Sequence, residues 1–364
     1  MQHYFAKRNG KVVKLEIVGG FPEKQVDRCG EGSKMTYKEE KNKSLNFAIK
    51  KKIDETFPKF IAGYFMTLNS PETKRGNIPH IKSALEYLVS EKIVNRETVK
   101  DITPNDLQEV KYTDIIGYLD GLSMAKSSIC TRKAVLGSFW QYLQNNGYTS
   151  RNIIKLIPAS RYKATRRNKK IEIKIPTEEQ INKMKERFGN DTDDYLSFKN
   201  RVILELLLGS GIRAEELIGL DIDDIEVEEE YPYISVLGKG YQDADEKAVV
   251  YITEKSRDYL KLFLEVRKEY AEKCGYDGKA LFISKNGRRL SQSALSDIIR
   301  TASDNEVTPH MLRHYYGTQL YRVTQDIVLV QQQLRHESIE TAVSYYVAIN
   351  IEDRMEKIAR MNQI

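Results

Sequence analysis

The feature that most constrains this chain is a break in its apolar pattern. Residues 161–170, RYKATRRNKK, hold six Lys or Arg in ten positions and no acidic residue. Amphipathic periods run up to this stretch and resume beyond it, and none crosses it. A segment so poor in apolar side chains cannot join a core. The chain must therefore pack as separate bodies on either side. The ten residues themselves read two ways, as a solvated linker or as a strip lying along a phosphate backbone.

The length agrees with that division. At about 100–200 residues per domain, 364 residues make two domains with some excess. Hydrophobic residues are 40% and charged residues 30%, which is enough apolar material for two cores. The net charge of +6 permits a nucleic-acid partner without requiring one. No apolar run approaches the roughly 18 residues of a membrane span, and the first twenty residues lack the order of a secretory signal. Cys29, Cys130 and Cys274 are too scattered for a disulfide framework or a zinc site. The expectation is a cytoplasmic protein with reduced thiols.

Residues 1–45 show no sustained period and read as an N-terminal extension of unknown role, with KVVKLEIV as a strand and MTYKEEKNK as a solvated stretch. From 46 to 158 the pattern is helical, four or five helices in a compact bundle. Ile81, Leu85, Leu88 and Val89 share one face, and Leu136, Phe139, Trp140 and Leu143 another. Thr103, Pro104 and Asp106 have the arrangement of a capped helix start, and Gly147 sits where a helix stops. A basic linker over 159–175 follows. A second, mostly helical domain over 176–364 opens with a capping box, Thr177 to Gln180. It includes the buried helical segment VILELLL and a small strand insert, YPYISVLGKG…AVVYI, turning at Gly238–Gly240.

Four segments of the second domain carry chemistry together. They are GSGIRAEEL with Arg213, VLGKG with Lys239, HMLRH with His310, Arg313 and His314, and LRHES…SYY with His336, Tyr345 and Tyr346. Singly, each has a plain structural reading: Arg213 as an ion-pair partner of Glu215 or Glu216, Lys239 as an exposed turn residue, His310 and Arg313 as one face of a surface helix. As a set they contain no carboxylate base and no metal-ligand spacing. Guanidiniums, a lysine, imidazoles and a phenol suit an anionic phosphoryl-transfer transition state. Arg grips two oxygens at once. A tyrosine phenolate can attack phosphorus and form a covalent phosphotyrosine. The acidic runs DTDD at 191–194 and EVEEE at 226–230 read as solvated turns, and no metal or other cofactor is expected.

The order Arg…Lys…His-x-x-Arg…His…Tyr resembles the tyrosine recombinases of the phage-integrase and Xer type. The resembling motifs are GIRAEEL at 211–217, the hairpin lysine in GKG, HMLRH at 310–314 and LRH at 334–336. In that family the nucleophile follows the last histidine by nine positions, which is Tyr345; Tyr346, one position on, is the alternative. Residues 46–158 resemble the family's core-binding domain and 176–364 its catalytic domain.

The resemblance implies a mainly α fold with a small antiparallel β-sheet in the C-terminal domain, arranged as a two-domain C-shaped clamp. It implies that Tyr345 attacks the scissile phosphate to leave a 3′-phosphotyrosine and a 5′-hydroxyl. Arg213 and Arg313 would hold the non-bridging oxygens, Lys239 would protonate the leaving oxygen, His310 would assist at the nucleophile and His336 would bond the phosphate. Glu216 would hold the Arg213 helix, and His314 would be structural. Arg132, Lys133, Arg161, Lys163, Arg166 and Arg167 are the expected contacts to DNA. The implied partners are double-stranded DNA at specific sites, further copies in a tetramer on DNA, and accessory DNA-bending proteins, with no membrane. The implied role is integration, excision or transposition of a mobile element; a Xer-type chromosome-dimer resolvase and a non-cleaving accessory protein are the alternatives.

Overall fold

In a computed structural model of the chain, the described residues are 5–8, 11–14, 37–162, 174–237 and 247–343, with side chains described from residue 45. They divide into two compact units, one within Lys34–Asn168 and the other drawn mainly from Lys169–Ile364. Ahead of the first unit, β1 (Phe5–Arg8) and β2 (Lys11–Lys14) pair antiparallel, with Phe5 opposite Lys14 and Arg8 opposite Lys11. The expected strand KVVKLEIV is thus seen over its first four residues; the rest lies outside the described residues.

The first unit contains α1 (Tyr37–Thr56), α2 (Lys59–Met66), α3 (Pro71–Ser90), α4 (Pro104–Gln108), α5 (Tyr112–Asp120) and α6 (Lys126–Asn145). That is six α-helices among the described residues, where the apolar periods had suggested four or five. The difference at the front is instructive. MTYKEEKNK, expected as a solvated stretch, runs into α1, because Ile49, Ile53 and Phe57 recur every four residues and bury that face. Lys and Glu are good helix formers, so the anchored turns propagate backwards through a sequence with no apolar stripe of its own. The expected core is present: Ile81, Leu85, Leu88, Leu136, Phe139, Trp140 and Leu143 are all fully buried. Thr103 starts α4, and Asp106 accepts from the Thr103 backbone N–H at 2.7 Å. Gly147 follows the end of α6 at φ +72°, the left-handed region that glycine enters without a Cβ penalty.

The second unit is built around α8 (Tyr195–Ser210), which follows α7 (Glu178–Phe188) and is buried on nearly every side. This explains why VILELLL shows no polar face. Thr177 caps α7 as its box predicts, exchanging bonds with Gln180. After α9 (Ala214–Gly219) come β3 (Ile225–Glu226), β4 (Tyr233–Leu237) and β5 (Lys247–Tyr251), one antiparallel sheet in the order β3-β4-β5. Ile234 and Val236 of β4 face inward and are buried, with Ile234 opposite Val250. Then come α10 (Glu254–Cys274), α11 (Gln292–Ala302), α12 (Pro309–Thr324), α13 (Ile327–Leu334) and α14 (Ile339–Ala342). Helices α10 and α12 both pack on α8. Val330, Leu334 and Ala342 form a small separate cluster with Tyr316, Leu320, Tyr321 and Ile327. It pins the end of α13 to α12; full burial of a side chain such as Leu334 contributes about 1.5–3 kcal/mol. No helix among the described residues is long and apolar enough to cross a membrane.

Candidate active site

Three chain segments converge at one place in the second unit. The first is the turn after α8. Gly211 sits there at φ +64°, and a Cβ on it would meet Tyr316 Cδ1 at 2.4 Å and Leu334 Cδ2 at 2.7 Å. Glycine therefore lets α8 end against α12 and α13, and it delivers Arg213 to the start of α9. The second segment is the front of α12, where Thr308 caps the helix and Pro309 fills its first position. His310, Arg313 and His314 follow at i, i+3 and i+4, on one face. The third is the end of α13, where Arg335 adopts φ +52° and turns the chain into His336.

Hydrogen bonds lock these segments together. Arg313, 3% exposed, donates Nη1 to the Gly211 carbonyl at 2.7 Å and Nη2 to the Leu334 carbonyl. Arg213 donates Nη2 to the next carbonyl, that of Arg335, at 3.1 Å. Both arginines thus hang from consecutive carbonyls of one turn. Glu216 binds the arrangement from behind. It accepts from Arg213 Nη1 at 2.8 Å, from the Arg213 backbone N–H at 2.7 Å and from Arg335 Nη2 at 2.6 Å. Burial pushes the Glu216 carboxyl up, but Arg335 and Arg213 outweigh it and hold the group below its ordinary value.

The histidines are neutral at neutral pH. Burial, then Arg313 and Arg213, then the other two imidazoles, pull His336 down to about 4. Burial, His310 and Arg313 pull His314 down to about 4. Partial loss of hydration, followed by Arg313 and Arg213, lowers His310. The His310 and His314 Nε2 atoms lie 3.0 Å apart, with the rings nearly edge to face. Three guanidiniums against one carboxylate leave an excess of positive charge, beside neutral imidazoles able to take a proton. The combination suits an oxyanion that gains charge as it reacts.

Of the residues expected in the site, Arg213, His310, Arg313 and His336 are brought together. Lys239 and Tyr345 lie outside the described residues; β4 and β5 flank the segment that carries Lys239. Glu216 holds Arg213 as expected. Arg335 was not singled out from the sequence, although a residue at the helix-to-histidine turn was the signal available. Among the expected DNA contacts, three are engaged inside the first unit. Arg132 donates to the Tyr118 hydroxyl at 2.6 Å, Lys133 to the Ile157 carbonyl at 3.0 Å and Arg161 to Asp120 at 2.6 Å. Tyr162 is buried beside Arg161, so the first two residues of the basic stretch pack with the helices before it. Lys163, Arg166 and Arg167 lie outside the described residues. The acidic runs serve local structure: Asp194 caps α8 through the Leu196 and Ser197 N–H groups, and Glu228 pairs with Lys261 at 2.8 Å.

Comparison with known proteins places this geometry. Residues 175–352 match the model of the phage integrase family. A tyrosine recombinase XerC of Neisseria meningitidis serogroup C (serotype 2a, strain FAM18) is 31% identical over 243 residues, covering 65% of this chain and 75% of that protein. The chain belongs to the tyrosine recombinase family. These enzymes cleave and rejoin DNA. A second XerC recombinase, from Neisseria meningitidis serogroup B (strain MC58), is 27% identical over 290 residues, covering 78% of this chain and 90% of the relative. Among solved structures, the XerH recombinase in a post-cleavage complex with its palindromic difH substrate aligns with a TM-score of 0.56 at 20% identity. That alignment covers 77% of this chain and 76% of XerH. It supports the recombinase fold: among the described residues, a mainly helical chain with a small three-stranded antiparallel sheet, β3-β4-β5, in the unit that carries the candidate site.

Proposed function

We propose that this tyrosine recombinase cuts and rejoins double-stranded DNA at specific sites through Tyr345. The observation that carries the reading is the convergence of Arg213, Arg313, His310 and His336 from three segments onto one positively charged patch. The Tyr345 phenolic oxygen bonds to phosphorus as the bond to the 5′-oxygen breaks. His310 takes the phenolic proton, and Lys239 gives a proton to the departing 5′-oxygen. Arg213 and Arg313 hold the non-bridging oxygens, and His336 donates a hydrogen bond to one of them. The 5′-hydroxyl of a second strand then reverses the step, so the phosphodiester's energy is kept in the enzyme–DNA bond. A tetramer on two duplexes, assisted by DNA-bending proteins, completes the exchange. Lys163, Arg166 and Arg167 of the basic stretch contact phosphates. Arg132, Lys133 and Arg161 shape the first unit, and the donors they do not spend there are what they offer to phosphates.

The biological role proposed is integration or excision of a mobile element, with the basic hairpin Phe5–Arg8/Lys11–Lys14 as an additional DNA-contacting module. A Xer-type role in resolving chromosome dimers is the second reading, favoured by the two XerC relatives. Covalent trapping tests both. The protein is incubated in EDTA with labelled, nicked DNA from the flanks of its own gene, and the products are run on a denaturing gel. A labelled protein band on that DNA supports the mobile-element role. A band only on the host's chromosome-dimer site supports the Xer role. Tight binding with no band on either overturns the cleavage reading.

A further inference from the structure

The sequence leaves His314 as a structural histidine, and the reaction as written has no use for it. Its position says more. His314 is 8% exposed, one helical turn after His310, and its Nε2 lies 3.0 Å from the His310 Nε2. Two imidazole nitrogens at that distance share one proton. The protonation of His310 is therefore coupled to that of His314. With Nε2 occupied by His314, the nitrogen of His310 left for substrate is Nδ1.

We propose that His314 is a positioning residue that holds His310 as the Nε2–H tautomer, with the Nδ1 lone pair free to take the proton of the attacking tyrosine. In this arrangement His310 donates Nε2–H to the Nε2 lone pair of His314. When Nδ1 receives the phenolic proton, His310 becomes an imidazolium with both nitrogens protonated. The His314 lone pair then accepts from the stronger donor. The logic is that of a buried acceptor orienting a histidine base, with a neutral imidazole in place of a carboxylate. A neutral partner suits this site. Arg213 from the start of α9 and Arg313 from α12 face the pair, His336 after α13 lies beside it, and burial disfavours a second cation at His314. A protonated His314 would have no lone pair to offer, so the arrangement requires it to stay neutral. The inference rests on His310 acting at the nucleophile, and its test separates the two ideas.

The first measurement is nitrogen-15 NMR on the free protein labelled at histidine, at pH 7.5. The expected result is His310 as the Nε2–H tautomer in the wild type and a mixture of tautomers in His314→Leu. His314→Gln, whose amide oxygen can accept near the Nε2 position, restores the Nε2–H form. The second measurement is the rate of covalent adduct formation on nicked DNA. His314→Leu lowers it about 10–100-fold, by analogy with the loss of the hydrogen-bond partner that orients a metal-bound histidine. His314→Gln recovers most of the rate, and DNA affinity is equal in all three proteins. Should His314→Leu fail to fold, the wild-type tautomer and the Gln variant decide. An Nδ1–H tautomer in the wild type overturns the proposal, as does an adduct rate unchanged in His314→Leu. If the wild type shows the Nε2–H tautomer but forms no adduct on any DNA, the positioning holds and the cleavage reading falls.

Discussion

Replacing Glu216 by Gln tests the ion-pair network behind the site. The Glu216 side chain is 4% exposed and receives two guanidiniums, Arg213 at 2.8 Å and Arg335 at 2.6 Å. The amide keeps one acceptor and turns an NH2 group toward a donor. It also leaves Arg335, whose side chain is only 16% exposed, as a buried cation with no counter-charge. Removing one partner from a buried pair costs about 3–5 kcal/mol. Arg213 is 32% exposed at its side chain and recovers some hydration, so the lower end of that range applies, about 3 kcal/mol. For a unit of about 200 residues this lowers Tm by about 6–12 °C. Urea unfolding at constant m-value is the assay, with exposed Glu179→Gln as a control expected within about 0.5 kcal/mol. A buried pair is poorly screened, so the deficit should survive 0.5 M salt. A deficit under about 1 kcal/mol, or one that vanishes in salt, refutes the view that Glu216 holds the turn by charge.

Further outcomes follow from other parts of the molecule. Tyr345→Phe should abolish covalent capture on nicked DNA while leaving binding within about twofold; a surviving adduct makes Tyr346 the nucleophile. Acid should destabilise the second unit, because His314 and His336 are held at about 4 in the fold against an ordinary 6.5. The unfolded chain takes up those protons first, so the stability is complete above about pH 6.5 and is lost as pH falls toward 4. The two together account for about 2–4 kcal/mol, and equal urea midpoints at pH 7.5 and 5 would remove the explanation. Gly211→Ala should cost about 2–4 kcal/mol, since φ +64° strains a Cβ that also meets Tyr316 and Leu334. It should slow adduct formation as well, because the Gly211 carbonyl holds Arg313. Trp140→Ala, at a fully buried position, should lower the stability of the first unit by about 3–5 kcal/mol, read from its unfolding transition.

Much of the site was legible because it is local. His310 and Arg313 share a helix face by spacing alone. The caps at Thr103 and Thr177 need only a side chain and a backbone N–H three residues away. The buried stripes of α3 and α6 need only a period. Such features depend on neighbours within one or two helical turns, so the order of residue types contains them.

What the sequence by itself determined, then, is which residues share a face, where the capped helices at Thr103 and Thr177 start, and a motif set ordered for phosphoryl transfer. The tertiary structure alone decided which distant groups meet. Arg313 bonds a carbonyl 102 positions away, and Arg213 one 122 positions away. The role of Arg335 depends on a left-handed turn whose partners lie on α9 and α12, and the coupling of His314 to His310 depends on ring orientation. Arg132, Lys133 and Arg161 look free in a basic sequence, yet each finds an acceptor inside the first unit. A long cation takes whichever acceptor the packing of other helices brings within reach, and that choice is made only when the cores close.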